Sequence, residues 1–308
     1  MIKMQISNLL KELEEKPWEF ILAAGRTRER NFGPGVDACS IINARSGNCP
    51  EDCAFCAQSA HHTAQARAYP LLPEGEVLSA AKRVFDKGVR RFCIVTSGRG
   101  IGSEKELSAI ARMVERVREI GFLPCATLGA LSQSQLRTLK GAGLHRYHHN
   151  LETSRSFFPR ICSTHTYDER IETLSAAKEA GLSTCSGGIF GMGEDMQDRA
   201  DMASELVRLG VDSVPVNFLM PIPGTPLEDA DFITPLEALK SIALLRRILP
   251  EKEIRVCGGR LTALGDLHPM VFMAGANGIL MGDYLTTSGR NFEDDLRMIN
   301  DLGMRLHG

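Results

Sequence analysis

One pattern recurs eight times along the chain: a short β-branched or apolar run, a Gly or polar turn, then a charged amphipathic stretch of helical period. The runs fall at 37–44, 91–97, 122–128, 146–152, 182–189, 213–220, 253–259 and 278–282. Between them, EKELSAIARMVERVREIG sets Leu107, Ile110, Met113, Val114 and Val117 on one stripe, and several such stretches stop at a Gly. Strands that alternate with helices form a parallel sheet, and eight evenly spaced units favour a closed (β/α)8 barrel of the TIM type over an open doubly wound sheet. The 308 residues then make one barrel domain. Residues 1–35 read as an N-terminal helical cap, one helix and the basic loop RTRERNFGPG, over the barrel bottom. Residues 36–290 read as the barrel and 291–308 as a closing helix.

The charge balance narrows the partners. With 36 Lys+Arg against 38 Asp+Glu there is no electrostatic case for nucleic acid or an anionic membrane. No run approaches the ~18 apolar residues of a membrane span. The first twenty residues lack an apolar core followed by a small-residue cleavage site, so a cytoplasmic location is expected. In that reducing setting nine cysteines point to metal or redox chemistry rather than to disulfides.

Three of the nine, Cys49, Cys53 and Cys56, crowd one loop directly after the first strand, at the C-terminal rim where barrel enzymes carry their chemistry. Structural zinc takes four closed ligands. Three thiolates instead suit a 4Fe–4S cube with one iron left open to a small chelating ligand. Four more cysteines, Cys93, Cys125, Cys185 and Cys257, lie mid-strand, and alternation lets the first three face the lumen. Buried thiols often only pack, but three or four at matching depth in one lumen point to a second iron–sulfur cluster. Cys39 and Cys162 are expected only to pack or to be surface thiols.

The spacing Cys49-x3-Cys53-x2-Cys56, with Phe55 before the last cysteine, resembles the radical S-adenosylmethionine superfamily. The combination of Cys-Pro-Glu-Asp-Cys-x-Phe-Cys-x-Gln-Ser, Arg-Phe-Cys93, Cys125-x-Thr-Leu-Gly, His-His-Asn150-Leu, Thr-Tyr-x-x-Arg170, Cys185-Ser-Gly-Gly-Ile and Phe-Met-Ala-Gly-Ala-Asn277 resembles the biotin synthase family over about residues 10–305. The resemblance implies a sulfurtransferase. Its open-iron cluster cleaves S-adenosylmethionine, and its auxiliary cluster supplies the sulfur that turns dethiobiotin into biotin. It also implies cofactor contacts at Phe55, Asn150, Glu152 and Arg170, substrate contacts at His148, Asn150 and Asn217, and the Gly-rich GGIFGMGE beside the adenosyl group. A low-potential flavodoxin or ferredoxin would supply electrons, and a homodimer is compatible.

Three positions depart from the family pattern. His148 stands where Asn is usual, and could donate to a ureido carbonyl. Glu152 replaces Asp. In the family an arginine at the position of Arg255 is the fourth ligand of a 2Fe–2S auxiliary cluster; here Cys257 lies two residues on, on the same strand face. A thiolate is the better iron ligand, so Cys93, Cys125, Cys185 and Cys257 are expected to hold the auxiliary cluster. A four-iron form is favoured over 2Fe–2S, with Arg255 as a balancing cation. The competing expectations are a barrel relative of the hydrogenase-cofactor maturase or mutase type, and an iron–sulfur carrier.

Overall fold

The computed structural model describes residues 2–307. Ten strands form one sheet: β1 Gly35–Arg45, β2 Arg91–Thr96, β3 Leu123–Thr127, β4 Arg146–His148, β5 Ser183–Cys185, β6 Gly188–Phe190, β7 Ser213–Phe218, β8 Glu253–Val256, β9 Gly278–Leu280 and β10 Arg305–Leu306. The helices are α1 Ile2–Glu15, α2 Pro17–Phe32, α3 Glu74–Phe85, α4 Glu104–Ile120, α5 Gln133–Gly141, α6 Tyr167–Glu179, α7 Met196–Leu209, α8 Pro235–Ile248, α9 Arg260–Leu264, α10 Met270–Met273 and α11 Phe292–Asp301. β1 pairs in parallel with both β2 and β9, so the sheet closes and the expected barrel is present.

Local sequence explains the repeating unit. Ser103 caps α4 by accepting from the Glu106 N–H, and the left-handed Gly121 stops it. All five residues of its apolar stripe are buried against the barrel. Burying each such side chain contributes about 1.5–3 kcal/mol, so a charge at Ile110 would undo this helix's docking. Capping boxes open α5, α6 and α7 through Ser132 with Gln135, Thr166 with Glu169, and Asp195 with Asp198.

Four expectations need correction. The stretch RTRERNF is helical: Pro17 opens α2, which runs to Phe32, and Arg28 is buried, donating to Gly33 O at 2.5 Å. The C-terminal segment is not helix throughout. Gly303 has a φ of 68°, and the chain then pairs with the start of β1, Gly35 opposite Arg305. This satisfies β1 backbone groups that β9 does not reach.

The fourth and fifth staves also differ. The β4 ladder ends at His148, opposite the last residue of β5, and Glu152 then takes a left-handed φ of 71°. The fifth stave splits into β5 and β6 at Ser186–Gly187, and Glu152 then bridges Gly188. Glycine permits that split. A Cβ on Gly187 would lie 1.9 Å from Pro215 O, and one on Gly188 would lie 2.2 Å from Glu152 O.

Most apolar burial lies between the barrel and its helices, whereas a small second cluster lies inside the lumen. Beneath it, near the strand N-termini, charged side chains interlock. Arg91 Nε lies 2.8 Å from Asp37, Arg146 Nη1 lies 2.6 Å from Glu253, and Arg255 Nη2 lies 2.7 Å from Asp37. Among the described residues no helix is long and apolar enough to cross a membrane.

Candidate active site

The loop after β1 brings Cys49, Cys53 and Cys56 together on the rim of one cavity. Backbone bonds fold it tightly: Cys49 N–H donates to Gln58 O at 2.9 Å, Ala60 N–H to Cys49 O at 2.7 Å, and Cys56 N–H to Cys53 O at 2.9 Å. The Gln58 carboxamide accepts from both Ser46 Oγ and Gly47 N–H. Asn48 has a φ of 51°, a strained value for a residue with a side chain. Burial pushes the Cys56 thiol up to about 11, so this thiol keeps its proton until a metal displaces it.

The same cavity takes in the end of the fourth stave and α6. Arg170 donates from Nη1 to Asn150 O at 2.7 Å and from Nε to His165 Nε2 at 3.0 Å, and it lies 3.6 Å from Glu152 Oε1. Asn150 donates to Glu152 Oε2 at 3.1 Å and accepts from Gly187 N–H at 3.0 Å. Burial raises the Glu152 pKa while Arg170 opposes that shift. The cofactor-side residues expected from sequence, Asn150, Glu152 and Arg170, are therefore one hydrogen-bonded group facing the three-cysteine loop.

A second cavity, about 350 Å³, occupies the lumen. Cys93, Cys125, Cys185 and Cys257 all line it, as the mid-strand positions implied. Cys93 and Cys125 stand opposite each other in the β2–β3 register, and Cys185 stands opposite His148 one pleat higher, the stagger a tilted barrel imposes. Burial pushes the Cys257 thiol up to about 12, with Arg255 pulling the other way. Asn217, Phe55 and Arg255 border this cavity too.

Cys39 also lines the lumen, 6 % exposed and packed with Cys93, Cys125 and Cys257. The expectation of a surface thiol is thus corrected, and the packing that was expected instead takes place inside the lumen. The alternation of β1 could have flagged it, but a period of two does not say which face is inside. Cys162 is buried as well, its Sγ 3.9 Å from Cys53 Sγ and 3.3 Å from His165 Nδ1.

The lumen suits an iron–sulfur group by its chemistry. Its walls carry soft thiol donors, and three arginines face two carboxylates at its base, Arg91, Arg146 and Arg255 against Asp37 and Glu253. That surplus positive charge favours an anionic occupant. The Arg255 Nε is buried without a partner and can donate to such an occupant.

Two polar side chains on the lumen wall are already oriented. Asn217 accepts from Gly258 N–H at 3.0 Å and donates to Gly188 O at 3.3 Å. One amide N–H and one carbonyl lone pair remain, a donor–acceptor pair that complements a ureido group. His148 is spoken for at both nitrogens. Nε2 lies 2.8 Å from Asn150 Oδ1, which can only accept, and Nδ1 lies 2.8 Å from Thr127 Oγ1. The ring proton therefore sits on Nε2 and goes to Asn150 rather than to a ligand. Burial holds the His148 pKa down to about 4, so the ring is neutral near pH 7.

The chain matches two family models, the Radical SAM superfamily over residues 44–206 and the Biotin and Thiamin Synthesis associated domain over residues 215–305. It is 53% identical over 288 residues to a biotin synthase of Geobacter metallireducens, covering 93% of this chain and 88% of that protein. With a biotin synthase of Heliobacterium modesticaldum the identity is 54% over 286 residues, covering 92% and 87%. Among solved structures, methylornithine synthase superposes with a TM-score of 0.86 at 21% identity, covering 98% of this chain and 94% of that one. The FeFe-hydrogenase maturase HydG from Carboxydothermus hydrogenoformans superposes with a TM-score of 0.80 at 16% identity, covering 99% and 79%. At those identities the structural likeness speaks for the barrel alone.

Proposed function

The chain belongs to the biotin synthase family of radical S-adenosylmethionine enzymes, and on that premise we propose that it is a sulfurtransferase that converts dethiobiotin to biotin. One observation supports this reading above the others. The cavity bordered by Cys49, Cys53 and Cys56 and the cavity bordered by the interior thiols share the side chains of His148, Asn150 and Glu152. A reactive fragment formed in the first therefore lies one side chain away from a ligand held in the second, the proximity that abstraction from a saturated C–H requires.

When bound, the 4Fe–4S cluster on Cys49, Cys53 and Cys56 supplies the electron that cleaves S-adenosylmethionine to a 5′-deoxyadenosyl radical, and the auxiliary cluster supplies the sulfur. The chain's own residues bind and orient. Arg170 offers its guanidinium to the methionine carboxylate from a position fixed by Asn150 O and His165. Glu152 and Asn150 take the ribose, Glu152 with the carboxylate oxygen that Asn150 leaves free. Phe55, between Cys53 and Cys56 in sequence, borders the lumen cavity. Asn217 takes the ureido group. His148 orients Asn150 and lines the substrate cavity without spending its own N–H on the substrate.

Cys93, Cys125, Cys185 and Cys257 hold the auxiliary cluster in a four-iron form, with Arg255 as the cation beside it. The whole chain works as one barrel domain in this reading, since both family-model segments contribute staves to the same lumen. A low-potential flavodoxin or ferredoxin delivers the electrons.

The test is anaerobic incubation of the cluster-loaded chain with dethiobiotin, S-adenosylmethionine and a low-potential reductant, read by mass spectrometry. Biotin together with 5′-deoxyadenosine is expected. 5′-Deoxyadenosine without biotin would return the maturase or mutase reading, and neither product the carrier.

A further inference from the structure

Five thiols line the lumen cavity, whereas a four-iron cube has four corners to ligate. The fifth, Cys39, sits beside the others in a particular way. In the β1–β9 register it stands opposite Leu280. In the β8–β9 register Val256 stands opposite Ile279, so the next residue, Cys257, reaches the level of Leu280 from the other side. Cys39 and Cys257 thus flank one strand at one height, and both belong to the same small buried cluster inside the barrel.

A thiol that only fills space is enclosed by its neighbours. Cys39 instead borders open volume, and its sole hydrogen bond among the described residues goes to the adjacent Ser40 O, at 3.6 Å. Arg255 is tied to Asp37 through Nη2 and carries a guanidinium that holds its protons, so it is a weaker iron ligand than a thiolate.

We propose that Cys39 is a reserve ligand of the auxiliary cluster, able to take the corner assigned to Cys257. This rests on the four-cysteine assignment made above. A thiol loses its proton to solvent when it binds iron, so exchanging Cys257 for Cys39 keeps one thiolate at that corner and leaves the cluster charge unchanged. A cluster that surrenders sulfide gains from a spare thiolate of this kind, because an iron left short of a ligand is otherwise lost.

The experiment compares iron content and Mössbauer spectra of the full chain, reconstituted anaerobically, as wild type, Cys39→Ser, Cys257→Ser, the double variant and Arg255→Ala. Retained radical-cluster signal in each preparation reports that the barrel has folded. The proposal expects auxiliary iron to persist in all three single variants and to disappear only in Cys39→Ser/Cys257→Ser. Loss of auxiliary iron in Cys257→Ser alone overturns the reserve role and leaves the four-cysteine assignment standing. Loss in Cys39→Ser alone overturns it by making Cys39 a primary ligand. Auxiliary iron that survives in the double variant and vanishes in Arg255→Ala overturns both.

Discussion

Arg255 on β8 reaches across the bare backbone of Gly278 on β9 to pair with Asp37 on β1, Nη2 to Oδ2 at 2.7 Å. A Cβ on Gly278 would stand 2.8 Å from Asp37 O and 3.4 Å from Arg255 Nε, so only glycine leaves this path open. The pair fixes Arg255 as a cation under the lumen, its pKa held up by Asp37 and Glu253 against the effect of burial. A positive charge beside a cluster stabilises the more negative, reduced state.

Arg255→Ala is accordingly expected to keep its auxiliary iron while the reduction potential of that cluster moves to more negative values. An EPR-monitored redox titration reads the shift. A potential identical to wild type would remove Arg255 from charge balance, and loss of the iron would make it a ligand.

Replacing any one of Cys49, Cys53 or Cys56 with Ala is expected to abolish 5′-deoxyadenosine formation and leave the auxiliary-cluster spectrum in place. The two sets of thiols line different cavities, so each cluster loses its own ligands only. Chromatography of reaction mixtures gives the first readout and Mössbauer spectroscopy the second. Undiminished cleavage in all three variants would end the radical assignment.

Asn217→Ala is expected to weaken dethiobiotin binding by about 1–3 kcal/mol, the cost of leaving a buried ureido partner unpaired. The loss should appear in the dethiobiotin dependence of 5′-deoxyadenosine formation, with S-adenosylmethionine affinity unchanged because Asn217 borders only the lumen cavity of the two. Equal dethiobiotin dependence in variant and wild type would show that the ureido group binds elsewhere.

His268, which lines neither cavity, provides a pH signature of its own. Burial, then Arg260 and Arg290, hold its pKa down to about 3, and Arg260 donates to its Nε2. The folded chain keeps this ring neutral, whereas the unfolded chain protonates it near the ordinary ~6.5. Stability is therefore lost as pH falls below about 6.5, at up to about 1.4 kcal/mol per pH unit from this one group. His268→Gln retains an acceptor for Arg260 and drops the titration. Urea denaturation under anaerobic conditions should show the wild type losing its advantage over the variant between pH 7.5 and pH 5.5. Parallel curves would place the titration elsewhere.

The three-cysteine loop was legible in the sequence because its chemistry is local: the ligands lie within eight residues and the backbone between them folds on itself. The eight staves were legible for a similar reason, since each strand–turn–helix unit carries its own period, cap and stop. The inward cysteines at 93, 125, 185 and 257 could be read from strand alternation together with closure. The break of the fifth stave was not legible, because it depends on Gly187 and Gly188 meeting Pro215 and Glu152 from neighbouring strands.

The sequence by itself determined the barrel, the loop that carries Cys49, Cys53 and Cys56, and the four mid-strand cysteines that the lumen receives. Only the tertiary structure decided which face of β1 Cys39 occupies, which partner Arg255 takes, and where the His148 proton is spent. Each of those depends on register between strands far apart in the chain. A strand's period of two restricts a side chain to one of two faces, and only closure of β9 onto β1 selects the face and brings Asp37, Gly278 and Arg255 to one level.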